Sequence, residues 1–241
     1  MSDPISHLVG PFGLYSNLDE REKNILNAIR EKDVDVAAGE CFQHRGQPLD
    51  YLFFLASGWA ANLRLLEEGK TQLVDIKLPG AICGLEEISF KRALTDWTAL
   101  TDCQFYRFPK SRIRDLFNES PKLAAISLFL CSHERGLLVE RVTEAGRRDA
   151  RAAIASFLVG LATRLEKMQD TRQGFLFPLK HRHIADAVAM TPVHVSRTLT
   201  QLKADGIVEI SDGWARILDR EALIALADRE KNFFEPDLSW I

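Results

Sequence analysis

The sequence has few cysteines and no two of them closely spaced. Its 241 residues include only Cys41, Cys83, Cys103 and Cys131, and no two form a CxxC motif. Structural zinc sites, iron–sulfur clusters and disulfide frameworks usually show tighter spacing. We therefore expect reduced thiols, no iron–sulfur cluster and no metal site.

Long hydrophobic runs and a strong charge bias are also missing. No apolar run approaches the roughly 20 residues of a membrane span. The N-terminal segment MSDPISHLVG lacks the basic and apolar regions of a signal peptide, so we expect a cytoplasmic protein without a membrane partner. The net charge of −3 and a hydrophobic content of 46% are typical of a globular protein. The length suffices for two domains with separate cores.

Short apolar runs separated by turns fill the region from Val34 to Phe108. The runs YLFFLAS, WAANLRLL, QLVDIKL and CQFYRF are divided by glycine, proline and charged residues. This spacing is typical of a β-sandwich or barrel, here one antiparallel β domain. It predicts about eight strands.

A long helical stretch begins at Pro121 and continues to about Gly146. Six of its residues recur at alternating spacings of three and four, which indicates a coiled-coil seam. The seam consists of Leu123, Ile126, Leu130, His133, Leu137 and Arg141. Because a single seam needs a partner, the sequence favours a two-fold homodimer. The alternative is that the seam packs on the β domain.

The stretch from residue 179 to residue 205 is typical of two short helices joined by a tight turn. Ile184 and Val188 form an apolar stripe on the first helix. Thr191 and Pro192 are strong start signals for the second helix. After that helix, Asp212-Gly213 marks the two-residue turn of a β-hairpin, the wing.

The second helix of this pair is predicted to bury Val195, Leu199 and Leu202. Its opposite face is polar and basic, as a helix that enters the major groove requires. The candidate DNA-contacting residues are Lys180, His181, Thr191, Val193, His194, Ser196, Arg197, Thr200 and Lys203.

The order of β domain, long helix, further helix, helix-turn-helix and wing resembles the Crp/Fnr superfamily of bacterial transcription regulators. The similarity covers nearly all of the chain. It is strongest in IADAVAMTPVHVSRTLTQLKADGIVEI and ILDREALIALA, which look like the family's DNA-binding domain. GRRDARAAIASFL resembles the family's hinge and the helix after it, with Asp149 at the hinge aspartate.

The resemblance implies an α+β fold in three parts. Residues 1–118 would form a β-roll sensor of the cyclic-nucleotide-binding type. Residues 119–148 would form the dimerisation helix and hinge, and residues 149–241 the winged helix-turn-helix domain. It also implies a homodimer on a pseudo-palindromic operator in double-stranded DNA, with RNA polymerase as a further partner and a signal received at the sensor.

Two residues match the family's serine–arginine pair in the recognition helix, Ser196 and Arg197. The arginine can fork onto the O6 and N7 atoms of a guanine, and the serine can contact phosphate. Val193 stands where well-known members have a glutamate, so the half-site should differ from theirs at that base pair. Lys180 and His181, at the start of the first helix, are predicted to bind DNA phosphate.

The sensor part departs from the members that bind cyclic nucleotides. Gly84, Leu85 and Glu86 match the turn whose glutamate binds the ribose. Leu94 and Thr95 occupy the positions of the arginine–serine pair that binds the phosphate. A buried phosphate without a guanidinium partner is costly, and Arg92 could replace it only with a two-residue gap. The sequence therefore argues against cyclic AMP as the effector.

Two alternatives remain open at the level of sequence, and a third finds no support. A haem-sensing member would use His7, His44 or His133 as a candidate ligand, and a redox-sensing member would use the Cys83 thiol beside the pocket turn. A regulator without an effector is equally compatible with the residues. A metal-dependent enzyme of the cupin type would need two histidines and a glutamate converging on one metal, and the sequence shows no such set, so we expect no enzyme.

Overall fold

The structure is a computed structural model that describes residues 10–13, 16–65, 71–145, 149–227 and 239–240. These residues form two compact units. One contains most of the chain up to residue 136, and the other contains most of the chain from residue 137 onward. Among the described residues, no helix combines the length and apolar character that crossing a membrane would need.

The first unit begins with helices α1 (Gly10–Gly13) and α2 (Glu20–Ile29) and contains eight strands in its described part. The strands are β1 (Lys32–Val36), β2 (Cys41–Gln43), β3 (Tyr51–Ser57), β4 (Ala60–Leu65), β5 (Thr71–Lys77), β6 (Ile82–Cys83), β7 (Asp96–Ala99) and β8 (Cys103–Pro109). They form two four-stranded sheets, in the orders β1-β8-β3-β6 and β2-β7-β4-β5. The strand pairs β1–β8, β3–β8 and β4–β7 are antiparallel, as the sequence predicts.

Strand β3 buries side chains on both of its faces, which explains its almost continuous apolar run. Phe53 and Leu55 lie in one core with Trp97 and Phe105. Leu52 and Phe54, which point to the opposite face, lie in a second core. The turn after β3 needs glycine, because Gly58 has φ +89° and a Cβ there would lie 2.4 Å from the carbonyl oxygen of Asp102.

Helices α3 (Ile113–Glu119) and α4 (Pro121–Ala145) follow the last strand of this unit. Leu123 and Ile126, the first two residues of the predicted seam, are fully buried in the second core together with Leu52 and Leu116. They are therefore not available to a partner helix, and assigning them to a dimer interface was wrong. The apolar face of the β-roll covers this end of the helix.

The rest of the predicted seam is placed differently. Leu130 is half-buried against the same core, and His133 and Leu137 are also half-buried. The side chain of Arg141 lies outside what the structure describes. Helix α4 instead exposes Leu138, Val139 and Val142. The periodicity predicted the long helix correctly, but the large apolar side chains that the helix exposes are not those of the predicted seam.

The second unit contains helices α5 (Ala150–Glu166), α6 (His181–Ala187), α7 (Pro192–Ala204) and α8 (Arg220–Ala227), with strands β9 (Phe175–Leu176), β10 (Val208–Ser211) and β11 (Trp214–Ile217). Asp149 caps α5, since its carboxylate accepts a hydrogen bond from the Arg151 amide at 2.9 Å. The three strands form one antiparallel sheet in the order β10-β11-β9. Asp212 and Gly213, between β10 and β11, have φ of 52° and 76°, as a type I′ turn requires.

Candidate nucleic-acid interface and sensor pocket

Short-range backbone features determine the turn between α6 and α7 and the two ends of α7. The Thr191 hydroxyl accepts a hydrogen bond from the His194 amide at 3.2 Å, and Pro192 occupies the first helical turn. Ala189 has φ 52°, in the left-handed region that an alanine rarely adopts. Gly206, with φ 69°, follows the end of α7. These local features define where α7 begins and where it ends.

The buried side of α7 differs slightly from the prediction. Val195 and Leu202 are fully buried, as predicted. Leu199 is only half-buried, whereas Thr198 is buried. The stripe is therefore centred closer to Thr198 than the apolar residues alone indicate.

The opposite side of α7 carries the predicted DNA-contacting residues. Val193 is 63% exposed, His194 and Arg197 are exposed, and Ser196 is half-buried. In the described part of the chain, no hydrogen bond or ion pair engages the Arg197 guanidinium. Its five donors are therefore available for a ligand outside the chain.

The other candidates on this helix already have partners. Thr191 caps the helix, and the Thr200 hydroxyl donates to the carbonyl oxygen of Ser196 at 2.9 Å. Lys203 forms an ion pair with Glu209 on β10 at 2.8 Å, and this lysine lowers the pKa of the Glu209 carboxyl. Lys203 thus joins the recognition helix to the wing.

The basic start of α6 divides into exposed and buried parts. Lys180 and His181 are exposed, in agreement with a phosphate contact. His183 is buried, and its Nδ1 atom accepts a hydrogen bond from the Lys180 amide at 3.2 Å. This ring supports the helix start from inside, so it does not add to the basic surface.

His183 gives the unfolding of this domain a specific pH dependence. Burial, followed by the nearby charge of Arg182, lowers the pKa of His183 from its ordinary value of 6.5. As the pH falls below about 6.5, the unfolded state takes up the proton first. We expect the free energy of unfolding to be retained above that pH and to decrease below it. Urea unfolding followed across this range measures the effect.

The matched variants for this measurement are His183→Gln and His181→Gln. Glutamine at position 183 removes the titrating group, so the decrease below about pH 6.5 should shrink. Glutamine at the exposed position 181 should leave it unchanged. Equal pH profiles for the wild type and His183→Gln would contradict the assignment.

The sensor turn has Gly84 with φ 90° before a single 3-10 turn, Leu85–Glu87. Here Glu86 forms an ion pair with Lys77 at 3.0 Å, and the same ammonium also contacts the carboxylate of Glu134 on α4. The Lys77 side chain is 0% exposed, and its Nζ atom lies 5.7 Å from the centre of the Trp97 ring. The glutamate predicted to bind a ribose is therefore engaged by an internal cation.

Leu94 and Thr95, at the predicted phosphate position, also form hydrogen bonds within the chain. The buried carboxylate of Glu87 accepts hydrogen bonds from the Leu94 amide at 2.9 Å and from the Thr95 hydroxyl at 2.7 Å. Arg92 donates to the carbonyl oxygen of Gly46 at 2.7 Å instead. A phosphate there would meet a carboxylate rather than a guanidinium, so these residues do not fit a cyclic nucleotide.

Sequence reasoning missed Glu87 and Lys77 as parts of this pocket. The only sequence signal was a second glutamate directly after Glu86. No local pattern shows that Lys77, nine residues before Glu86, and Thr95, eight residues after Glu87, fold back onto these carboxylates. Of the candidate haem ligands, His133 packs against Phe129 with ring centres 5.8 Å apart. His44 follows β2 at the surface, and His7 lies outside the described residues.

Comparison with known proteins agrees with this arrangement. Residues 152–226 match the Crp-like helix-turn-helix domain, and residues 33–120 match the cyclic nucleotide-binding domain. The nitrogen fixation regulation protein FixK of Bradyrhizobium diazoefficiens is 31% identical over 165 residues, covering 68% of this chain and 68% of the relative. The chain belongs to the Crp/Fnr superfamily of transcription regulators. Its function is transcription regulation through a helix-turn-helix DNA-binding domain.

Other Crp/Fnr proteins are similar over most of the chain. The transcriptional activatory protein AadR of Rhodopseudomonas palustris is 29% identical over 179 residues, covering 74% of each chain. The structure of FixK2 from Bradyrhizobium japonicum has a TM-score of 0.74 at 22% identity, covering 83% of this chain and 98% of that one. This likeness confirms the predicted fold class, with a β sensor domain, helices and a C-terminal helix-turn-helix.

Proposed function

We propose that this Crp/Fnr regulator binds a pseudo-palindromic operator as a homodimer, with α7 of each copy in the major groove. The observation that carries the proposal is the exposed face of α7, where the Arg197 guanidinium has no partner among the described residues. Val193 beside it offers an apolar contact for a thymine methyl group. Membership of a transcription-regulator family supports a cytoplasmic location and RNA polymerase as a further partner.

The test is selection of duplexes by the purified protein from a random pool. We expect enrichment of two half-sites related by two-fold symmetry, with centres about 10–10.5 base pairs or a multiple of that distance apart. Enrichment of a single unpaired half-site would refute the homodimer, and no enrichment would refute sequence-specific binding.

The proposed dimer contact uses the face of α4 that the structure exposes. Val139 is 53% exposed and Val142 is 68% exposed, although both are β-branched apolar residues in a regular helix. A second copy of the same helix would remove these side chains from water, a gain of about 25 cal/mol for each Å² of apolar surface buried. A two-fold axis beside α4 would pair this face with itself.

Replacing Val139 with aspartate should shift the chain from dimer to monomer. Two carboxylates would then meet across the two-fold axis. Like charges in a desolvated contact weaken association by roughly several kcal/mol. Native mass spectrometry or sedimentation measures the shift. The control is Phe117→Asp, at an exposed apolar residue of α3. A Val139→Asp chain that remains dimeric would place the interface elsewhere.

The β-roll in this proposal responds to something other than a cyclic nucleotide, or acts without an effector. Its support is that Glu86 and Glu87 are engaged by Lys77, Leu94 and Thr95. The ion pairs of Lys77 reach Glu134 on α4, so the contents of the pocket are linked to the long helix. A signal that changed this contact would act on the helix directly.

A further inference from the structure

Three side chains of types that can bind metal ions meet at strand β7, two from residues 41–44 and one from β7 itself. The Cys41 Sγ atom lies 3.3 Å from the His44 Nδ1 atom. That nitrogen lies 3.7 Å from the Asp96 Oδ1 atom. One ligand atom from each of the three residues lies within 4.8 Å of the others.

The local backbone explains why Cys41 and His44 reach the same place. Residues three apart in a regular strand point to opposite faces. Here β2 pairs with β7 through a register shift between Cys41 and Gln43, and a bulge of this kind re-aims the side chains beside it. Phe42 fixes the shifted segment, because its ring packs against Phe105 with ring centres 4.5 Å apart.

We propose that Cys41, His44 and Asp96 bind a divalent transition-metal ion of the zinc type. Bond lengths of about 2.3 Å to sulfur and about 2.0–2.2 Å to nitrogen and oxygen place the ligand atoms of a tetrahedral site roughly 3.4–3.6 Å apart. The observed 3.3 Å and 3.7 Å are close to this range, and the third pair of ligand atoms, from Cys41 and Asp96, lies within 4.8 Å. The sulfur ligand favours zinc over magnesium or calcium, which prefer oxygen.

The surroundings supply the supporting hydrogen bonds and the open position of such a site. The Arg45 amide donates to the Asp96 Oδ1 atom at 3.0 Å, which orients the carboxylate. The side chain of His44 is 67% exposed, so an ion enters from solvent and keeps a fourth position for water. Thr95, which donates to Glu87 in the sensor pocket, directly precedes Asp96. An ion here would therefore fix the segment that lines the pocket.

Binding at this cluster is coupled to proton release. A cysteine thiol that holds no metal is mostly protonated near neutral pH, because its ordinary pKa is about 8.5. Coordination forms the metal–sulfur bond, and the thiol proton leaves to solvent. Metal affinity should consequently rise with pH.

Cobalt(II) titration of the metal-free full-length chain tests the site, because cobalt replaces zinc and absorbs light. We expect one cobalt ion per chain, a thiolate-to-cobalt charge-transfer band, and loss of the band when zinc is added. Cys41→Ser should abolish the band, and Asp96→Asn should keep it while lowering zinc affinity at least about tenfold, the minimum seen for supporting residues. Cys131→Ser is the matched control, because this half-buried cysteine lies outside the cluster.

Three results would overturn the proposal. They are a cobalt spectrum without the thiolate band, a band that Cys131→Ser removes, and a zinc affinity that neither His44→Ala nor Asp96→Asn changes. Circular dichroism of each variant separates loss of a ligand from loss of the fold. None of these measurements depends on DNA binding. A negative result for the metal site therefore leaves the proposed binding of α7 to an operator intact.

Discussion

Replacing Arg197 with alanine should weaken binding to the selected operator by at least about 30-fold and remove discrimination at one base pair of each half-site. A guanidinium forked onto guanine contributes roughly 1–3 kcal/mol, and a dimer makes the contact twice, so roughly 2–6 kcal/mol is at stake. The Arg197 side chain is exposed and unpaired among the described residues, so its removal costs the fold little. Fluorescence anisotropy with the operator and with single-base variants measures both effects.

Two further variants separate base recognition from general charge. Lys180→Ala should weaken binding to all duplexes similarly and lower the salt slope by about 1 per copy, because a phosphate contact carries no sequence information. Arg112→Ala removes an exposed charge from the other unit and should change neither quantity. If Arg197→Ala behaved like Lys180→Ala, with unchanged discrimination, Arg197 would bind phosphate and not a base.

Replacing Lys77 with methionine should destabilise the first unit by roughly 3 kcal/mol. Methionine keeps most of the volume beside Trp97, but it leaves the carboxylates of Glu86 and Glu134 facing each other without the ammonium between them. Breaking a fully buried pair costs about 3–5 kcal/mol. We take the lower end because both carboxylates are partly exposed and can turn toward water. Urea unfolding measures the loss.

The charge argument can be separated from packing by a second step. Adding Glu86→Gln and Glu134→Gln to Lys77→Met removes the two negative charges that Lys77 pairs with, so part of the lost stability should return. Lys23→Met is the matched control, because Lys23 pairs with the exposed Glu20 at 2.7 Å, and such pairs contribute less than about 1 kcal/mol. A Lys77→Met chain as stable as the control would show that the buried ion pairs do not hold the pocket.

Local sequence signals were sufficient for the DNA-binding half of this Crp/Fnr protein. Thr191 and Pro192 begin α7, and Asp212-Gly213 forms the turn of the wing, because each of these depends on backbone preferences within a few residues. The exposed positions of Val193 and Arg197 follow from helical periodicity once α7 is placed. The buried stripe was less accurate at Leu199, since neighbouring helices decide how far a half-apolar face is covered.

Periodicity also identified the long helix, but not what covers it. The spacing of Leu123 and Ile126 is the same whether a second copy or the β-roll lies against them. The structure shows that the β-roll does. The choice depends on the shape of a surface assembled from Leu52, Phe54 and other residues far away in the chain, and no local pattern encodes it.

The sequence by itself determined that a β sensor domain is followed along the chain by a winged helix-turn-helix, because caps, turns and repeats are short-range. Only the tertiary structure decided what the sensor pocket contains. Lys77 meets Glu86 and Glu87 meets Thr95 because the chain folds back on itself within eight or nine residues. Cys41 meets Asp96 because β2 pairs with β7, which is distant in sequence. Charge pairing and metal geometry depend on distances of a few ångströms, which are fixed only after those sheets form.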